Sequence, residues 1–243
     1  MKQLSKLWST LRGQVPPILM VLVLVAGGIW LFVVLADLVE AGTLQAFDER
    51  VLLAFREPDD PTELLGPQWM EVVVRDITAL GGVAVLSMVT FAVVGYLVLR
   101  GRQRTALFVM VAVVSGGLLT FWLKDAFGRE RPGLVPFLDP VHTAAFPSGH
   151  TKMATTTYLT LAVLLARTEK RRRVRAYLVA VATGLAILVG ISRVSLAVHW
   201  PTDVLAGWAA GAVWALLGWV VLYWLQERGA AERQGDEGIE PTE

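Results

Sequence analysis

The chain has 243 residues, of which 55% are hydrophobic and 18% charged, and its mean hydropathy is +0.56. That balance excludes an ordinary soluble domain of this size and points to an integral membrane protein. Cysteine is absent, which excludes disulfides, thiolate catalysis and cysteine-ligated metals, and the formal net charge of +1 matters less than where the charges fall.

In chain order, Lys2, Lys6 and Arg12 precede a first apolar run at 16–40, with no acid among them. The positive-inside rule makes this stretch cytoplasmic. The run is too long for a signal peptide and lacks a persuasive cleavage site, so it reads as a retained span. The segment at 42–76 is acidic, carrying Asp48, Glu49, Glu57, Asp59, Asp60, Glu63, Glu71 and Asp76 against Arg50, Arg56 and Arg75, and belongs outside. Its Phe47, Val51, Leu52 and Phe55 recur at helical spacing, interrupted by Pro58, Pro61 and Pro67, which predicts short interfacial helices.

Further apolar runs lie at 78–99, 104–123, 153–167, 174–191 and 203–225. Each is about long enough for a roughly 30 Å hydrocarbon core. Arg100, Arg102 and Arg104 join the second run to the third, and Arg167, Lys170, Arg171, Arg172, Arg173 and Arg175 join the fourth to the fifth, so both links belong inside. With six spans these assignments agree. The expected fold is all-α, a six-transmembrane helical bundle forming one membrane domain over 1–226, with a disordered cytoplasmic tail at 227–243. Both termini then lie inside.

Three clusters of polar residues sit at span ends, where their placement needs a reason. Lys124, Arg131 and Pro132 follow the third run, Pro147, Ser148, Gly149 and His150 precede the fourth, and Ser192, Arg193, His199 and Asp203 bridge the fifth and sixth. The topology puts all three on the outer face, where they can form one site. Lys124, Arg131 and Arg193 make that site a receptor for an anion, and the arginine fork matches phosphate oxygens. Pro201 disfavours helix at Trp200 and suits a first helical turn, so His199 is expected just outside a helix and Asp203 within its first turn. The carboxylate can then accept one imidazole N–H and leave the other nitrogen free to attack phosphorus. Ser148 and Gly149 offer a hydroxyl and a helix N-terminus to an anion, with His150 placed to protonate a departing oxygen.

The pattern K-x6-RP, PSGH and SR-x5-H-x3-D, running from Lys124 to Asp203, resembles the three signature motifs of the type 2 phosphatidic acid phosphatase superfamily, and the six runs resemble its membrane branch. The resemblance implies a metal-independent lipid phosphatase without cofactor. His199 would be the phosphorylated nucleophile, Asp203 its orienting partner and His150 the general acid. Lys124, Arg131, Ser148, Gly149 and Arg193 would hold the phosphate. The expected substrate is a lipid phosphate or diphosphate such as undecaprenyl diphosphate, phosphatidic acid or phosphatidylglycerophosphate, hydrolysed at the periplasmic face of a bacterial inner membrane. No metal site and no nucleic-acid partner are expected.

Other readings stay beside this one. Transfer of the phosphoryl group to an acceptor alcohol, anion transport, a metal hydrolase using His150, His199 and Asp203, and the family's soluble vanadate haloperoxidases are the alternatives. Transport would place charges near the membrane midplane, and three cations make a metal awkward. His142 has no motif partner and is expected to be structural or solvated. Lys152 is expected to snorkel to the interface, with contact to a second phosphate as the alternative. Gly207 and Gly211 form G-x-x-x-G, expected to pack within the bundle and alternatively to mark a homodimer face.

Overall fold

In a computed structural model the described residues, 17–139 and 143–227, fold mainly into helices. The expectations for the basic N-terminal stretch, for His142 and for the tail past Glu227 lie outside them. The helices are α1 (Pro17–Glu40), α2 (Gln45–Leu53), α3 (Trp69–Ala79), α4 (Val83–Leu99), α5 (Gln103–Phe127), α6 (Gly149–Thr168), α7 (Arg172–Ser195) and α8 (Pro201–Glu227). Among the described residues there is no strand, only an isolated bridge between Arg56 and Leu64.

Four helices, α1, α5, α7 and α8, are long and apolar enough to cross a membrane, and a fifth span results if α3 and α4, bent by 44° at their junction, count as one. Their outward faces carry large apolar side chains, among them Trp30, Phe121, Trp122 and Val83, which suits contact with lipid tails. The run expected at 153–167 becomes α6, a 20-residue helix rich in threonine. Its polarity has a packing reason: α6 lies against α5, α7 and α8, and Thr151, Thr155, Thr156, Thr157 and Thr160 are buried by neighbouring helices. A helix enclosed by protein need not be apolar all round.

Close approach of α6 and α8 depends on glycine. A Cβ at Gly211 would stand 2.6 Å from Thr155 Cβ and 2.7 Å from the Lys152 carbonyl oxygen, and one at Gly207 would stand 3.0 Å from the Ser148 oxygen. The G-x-x-x-G face is therefore consumed inside the bundle, the small-residue packing that brings membrane helices together.

Lys152 departs from the snorkelling expectation. It is fully buried, its Nζ donates to the Gly116 carbonyl on α5, and it sits 5.7 Å from the Trp214 ring centre. The reason is direction: its position on α6 faces α5 and α8 and not the lipid boundary.

The segment between α1 and α4 does contain two short helices, α2 and α3. Arg56, counted above as a loop charge, is instead buried and donates from Nη2 to the Ser195 carbonyl at 2.8 Å, a cation at the C-terminus of α7. This pins the segment onto the end of the bundle that carries the polar clusters.

Candidate active site

Local chain geometry presents each cluster. α5 ends at Gly128, which takes φ +54° and returns its N–H to the Lys124 carbonyl, a left-handed cap that only glycine adopts cheaply. The chain then doubles back with Arg129 and Arg131. Ser148, in extended conformation, opens α6, and its N–H donates to the Asp203 carbonyl at 3.0 Å, tying the start of α6 to the start of α8. Pro201 begins α8, where its missing N–H costs nothing. His199 therefore stands outside the helix and Asp203 in its first turn.

The polar clusters meet at one end of α5–α8. His199 is 1% exposed; its Nδ1 lies 3.4 Å from Asp203 Oδ2 and its Nε2 lies 3.3 Å from Arg131 Nη1. The two ring nitrogens thus face opposite charges, one an anion and the other a cation. Arg131 also donates to the Val198 and Thr143 carbonyls at 2.5 and 2.7 Å. Lys124 Nζ donates to Thr143 Oγ1 at 3.1 Å and to the Ala144 carbonyl. Arg193, almost fully buried, donates from Nη1 to Asp139 Oδ2 at 2.7 Å and to Thr78 Oγ1 at 3.0 Å. Its Nε is buried without an acceptor among the described residues.

Ser148 is buried with its Oγ 2.8 Å from Thr151 Oγ1, and Gly149 packs on the Lys124 stem, where a Cβ would meet Cε at 3.3 Å. His150 lies within electrostatic reach of Lys124, Arg131, Arg193 and Asp139.

Burial, reinforced by Arg131, Arg193 and Lys124, holds the His199 imidazole well below the usual histidine range, so it is neutral near pH 7. Burial also lowers the Arg131 guanidinium to about 10, with Arg193 adding to the effect. A neutral imidazole nitrogen beside a dense positive cluster is an arrangement that an incoming anion completes.

Sequence reasoning missed four residues that the fold adds. Arg129 donates from Nη1 to Asp203 Oδ1 at 2.5 Å and to Thr202 Oγ1 at 2.8 Å, and from Nη2 to Asp48 Oδ2 at 2.8 Å. Asp48, fully buried on α2, also accepts from the Thr202 N–H and hydroxyl at 2.9 and 2.6 Å. Thr143 accepts from Lys124 and Arg131, and Asp139 from Arg193. Only Arg129 left a signal, since it falls inside the K-x6-RP spacing; Asp48 counted merely as one acid of many.

A cavity of about 430 Å³ opens beside the site between α4, α5 and α6. Lys124, Thr143, Gly149 and His150 line it together with the apolar Val83, Leu86, Val113 and Val114. A larger one of about 710 Å³ lies at the far end of the same helices, beside Arg100 and Arg102, and touches none of the cluster residues. Among the described residues no group of three His, Asp or Glu side chains is placed to hold a metal ion.

Residues 105–228 match the family model of the PAP2 superfamily. The chain is 30% identical over 183 residues to phosphatidylglycerophosphatase B of Bacillus subtilis (strain 168), covering 74% of this chain and 85% of that protein. It is 34% identical over 119 residues to lipid A 1-phosphatase of Rhizobium johnstonii, of which it spans 45%. Among solved structures, a transmembrane PAP2-type phosphatidylglycerolphosphate phosphatase from Bacillus subtilis superposes with a TM-score of 0.70 at 27% identity, over 83% of this chain and 96% of that one. LpxE of Aquifex aeolicus gives 0.50 at 25% identity, over 70% and 92%. The chain belongs to the PAP2 superfamily, and it is a membrane phosphatase.

Proposed function

We propose that this phosphatase hydrolyses a lipid phosphate or diphosphate through a phosphohistidine at His199. The observation that carries the reading is the placement of the two His199 nitrogens, Nδ1 toward Asp203 and Nε2 toward Arg131 in the positive cluster. Nε2 attacks phosphorus, the bond from phosphorus to the lipid oxygen breaks, and His150 supplies the proton that leaves with the lipid alcohol or lipid monophosphate. Water then attacks the phosphohistidine, gives its proton to His150 and releases phosphate.

Lys124, Arg131 and Arg193 neutralise the equatorial oxygens throughout, and the buried Arg193 Nε is a donor that a phosphate oxygen satisfies. Gly149 and Ser148 add the N-terminus of α6. The concentration of three cations around both histidines favours this scheme over one routed through a divalent metal.

The cavity beside Lys124 and His150 supports a lipid as substrate, since much of its lining is apolar and its volume falls within the usual range for ligand sites. Of the candidate lipids, phosphatidylglycerophosphate is favoured, because the relative covered over most of its length is a phosphatidylglycerophosphatase. The architecture proposed is six spans, with α3–α4 as one bent span and α6 as the enclosed sixth. The site then faces the non-cytoplasmic side of a bacterial inner membrane, a sidedness that the arginine-rich links at 100–104 and 167–175 support.

The test is phosphate release by the detergent-purified chain from phosphatidylglycerophosphate, phosphatidic acid and undecaprenyl diphosphate in the presence of EDTA. Turnover abolished in His199→Ala, with acid-labile label trapped on that imidazole in the native chain, supports the scheme. Loss with EDTA restored by a divalent ion, or turnover without label, overturns it.

A further inference from the structure

The phosphate-site cations are not the only charges around His199. Facing the His199–Asp203 pair are Lys124 from α5, Arg129 and Arg131 from the loop after it, His150 from α6, Arg193 from α7 and Asp48 from α2, with Asp139 of the same loop facing His150 and paired with Arg193. Of these, Arg129 alone bonds the catalytic carboxylate through a side chain, and Asp48 alone bonds Arg129 from outside the segment that carries the three motifs.

We propose that Asp48 and Arg129 are positioning residues of the reaction: Asp48 holds the Arg129 guanidinium in the fork that orients Asp203, and the pair fixes the charge that Asp203 presents to His199. This rests on the phosphatase reading above and adds to it two residues that no motif specifies.

The geometry supplies the reason. Asp203 is fully buried and divides its oxygens, Oδ2 toward His199 Nδ1 and the Trp200 N–H at 2.9 Å, and Oδ1 toward Arg129. A buried carboxylate needs every oxygen satisfied, so Oδ1 requires a donor. A lone arginine there would satisfy it but draw the negative charge away from the imidazole. Asp48 offsets this by accepting from the other arm of the same guanidinium. The triad Asp48–Arg129–Asp203 then carries the charge of one carboxylate, with its geometry fixed by three elements. Asp48 is itself anchored at the N-terminus of α8 by the Thr202 N–H and hydroxyl, so it caps that helix from another part of the chain. Arg129 lies 5.7 Å from the Trp200 ring centre, which restrains its plane further.

Two opposite shifts follow. Asp48→Asn keeps the shape but leaves the triad neutral, which disfavours the imidazolium and moves the acid limb of kcat/KM to lower pH. Arg129→Gln leaves two uncompensated carboxylates, which favours the imidazolium and moves the limb up. Each shift is on the order of half a pH unit, less than that of a charge in direct contact. The double variant restores the net charge and returns the limb toward its native position, while kcat stays low because the fork is gone. Substrate ionisation is common to all the profiles and cancels in the comparison.

The experiment measures kcat and KM against pH for the full chain in detergent, with short-chain phosphatidic acid and short-chain phosphatidylglycerophosphate as probes and thermal unfolding as a folding control. Opposed limb shifts, with kcat reduced more than KM is raised, support the proposal. Coincident limbs in folded variants overturn it, whatever the loss of rate. If Asp48→Asn does not fold, Arg129→Lys and Arg129→Gln decide alone: the lysine variant keeps the native limb at reduced kcat, and the glutamine variant moves it. A native chain that releases phosphate from neither probe nor from an isoprenoid diphosphate fails the phosphatase reading itself, a result distinct from coincident limbs.

Discussion

His199 Nε2 lies 3.3 Å from Arg131 Nη1, so the nitrogen proposed to attack phosphorus already faces the group proposed to hold the phosphate. The same guanidinium is fixed by the Val198 and Thr143 carbonyls, which makes its position independent of any ligand. Replacing it with lysine keeps a charge but loses the fork. Arg131→Lys should lower kcat/KM by about 10² with the fold intact, since one preorganised donor to a transferring group is worth ~3 kcal/mol. Steady-state phosphate release compared with thermal unfolding checks this.

The acid side of the pH profile follows from His199. Its pKa in the fold is depressed by burial and by Arg131, Arg193 and Lys124, so the neutral form persists below the ordinary value of 6.5. Once substrate ionisation is corrected for, kcat/KM should hold through pH 6.5 and fall only below it. The linked stability has the same sign: it is fully present above 6.5 and is lost as pH falls toward the depressed value, because the unfolded chain takes up the proton first. A limb at or above 6.5 in His150→Ala residual activity would contradict the assignment to His199.

Gly211 is a packing position. Gly211→Ala places a Cβ 2.6 Å from Thr155 Cβ, so α6 and α8 must separate or tilt, at a cost of ~1–3 kcal/mol. The expected outcome is a lower unfolding temperature in detergent with no change in oligomeric state by light scattering. A stable but dissociated Gly211→Ala would mean that the face also serves between copies.

Lys152 is the position where the fold reverses an expectation most clearly. Its Nζ is spent on the Gly116 carbonyl and its side chain is fully buried, so it has no route to a second phosphate. Lys152→Met should alter turnover of monophosphate and diphosphate lipids by the same factor, and its stability should match or exceed that of the native chain, because burying an ammonium is costly. A selective loss on diphosphates would overturn this.

The membrane character and the three motifs were legible because each is a local property of the chain, whereas the run expected at 78–99 straddles the break between α3 and α4. Hydropathy marks α1, α5, α7 and α8 without reference to neighbours, and the spacing His199, Pro201, Asp203 already implies a histidine outside a helix with a carboxylate in its first turn. α6 was less legible since its threonines make sense only once helices enclose it. The fate of Lys152 was hidden for a related reason: which way one residue faces on a central helix depends on what packs there.

The amino-acid sequence by itself determined which residues are proposed to bind and attack a phosphoryl group, because charge, nucleophilicity and motif spacing belong to the residues. Only the tertiary structure decided which charges stand beside them. Asp48 is 155 residues away from Asp203 along the chain, 203 − 48, and reaches it through Arg129 because Arg56 and Thr202 fasten the intervening segment over the helix ends. Electrostatic coupling falls off with distance in space, and distance along the chain does not report it.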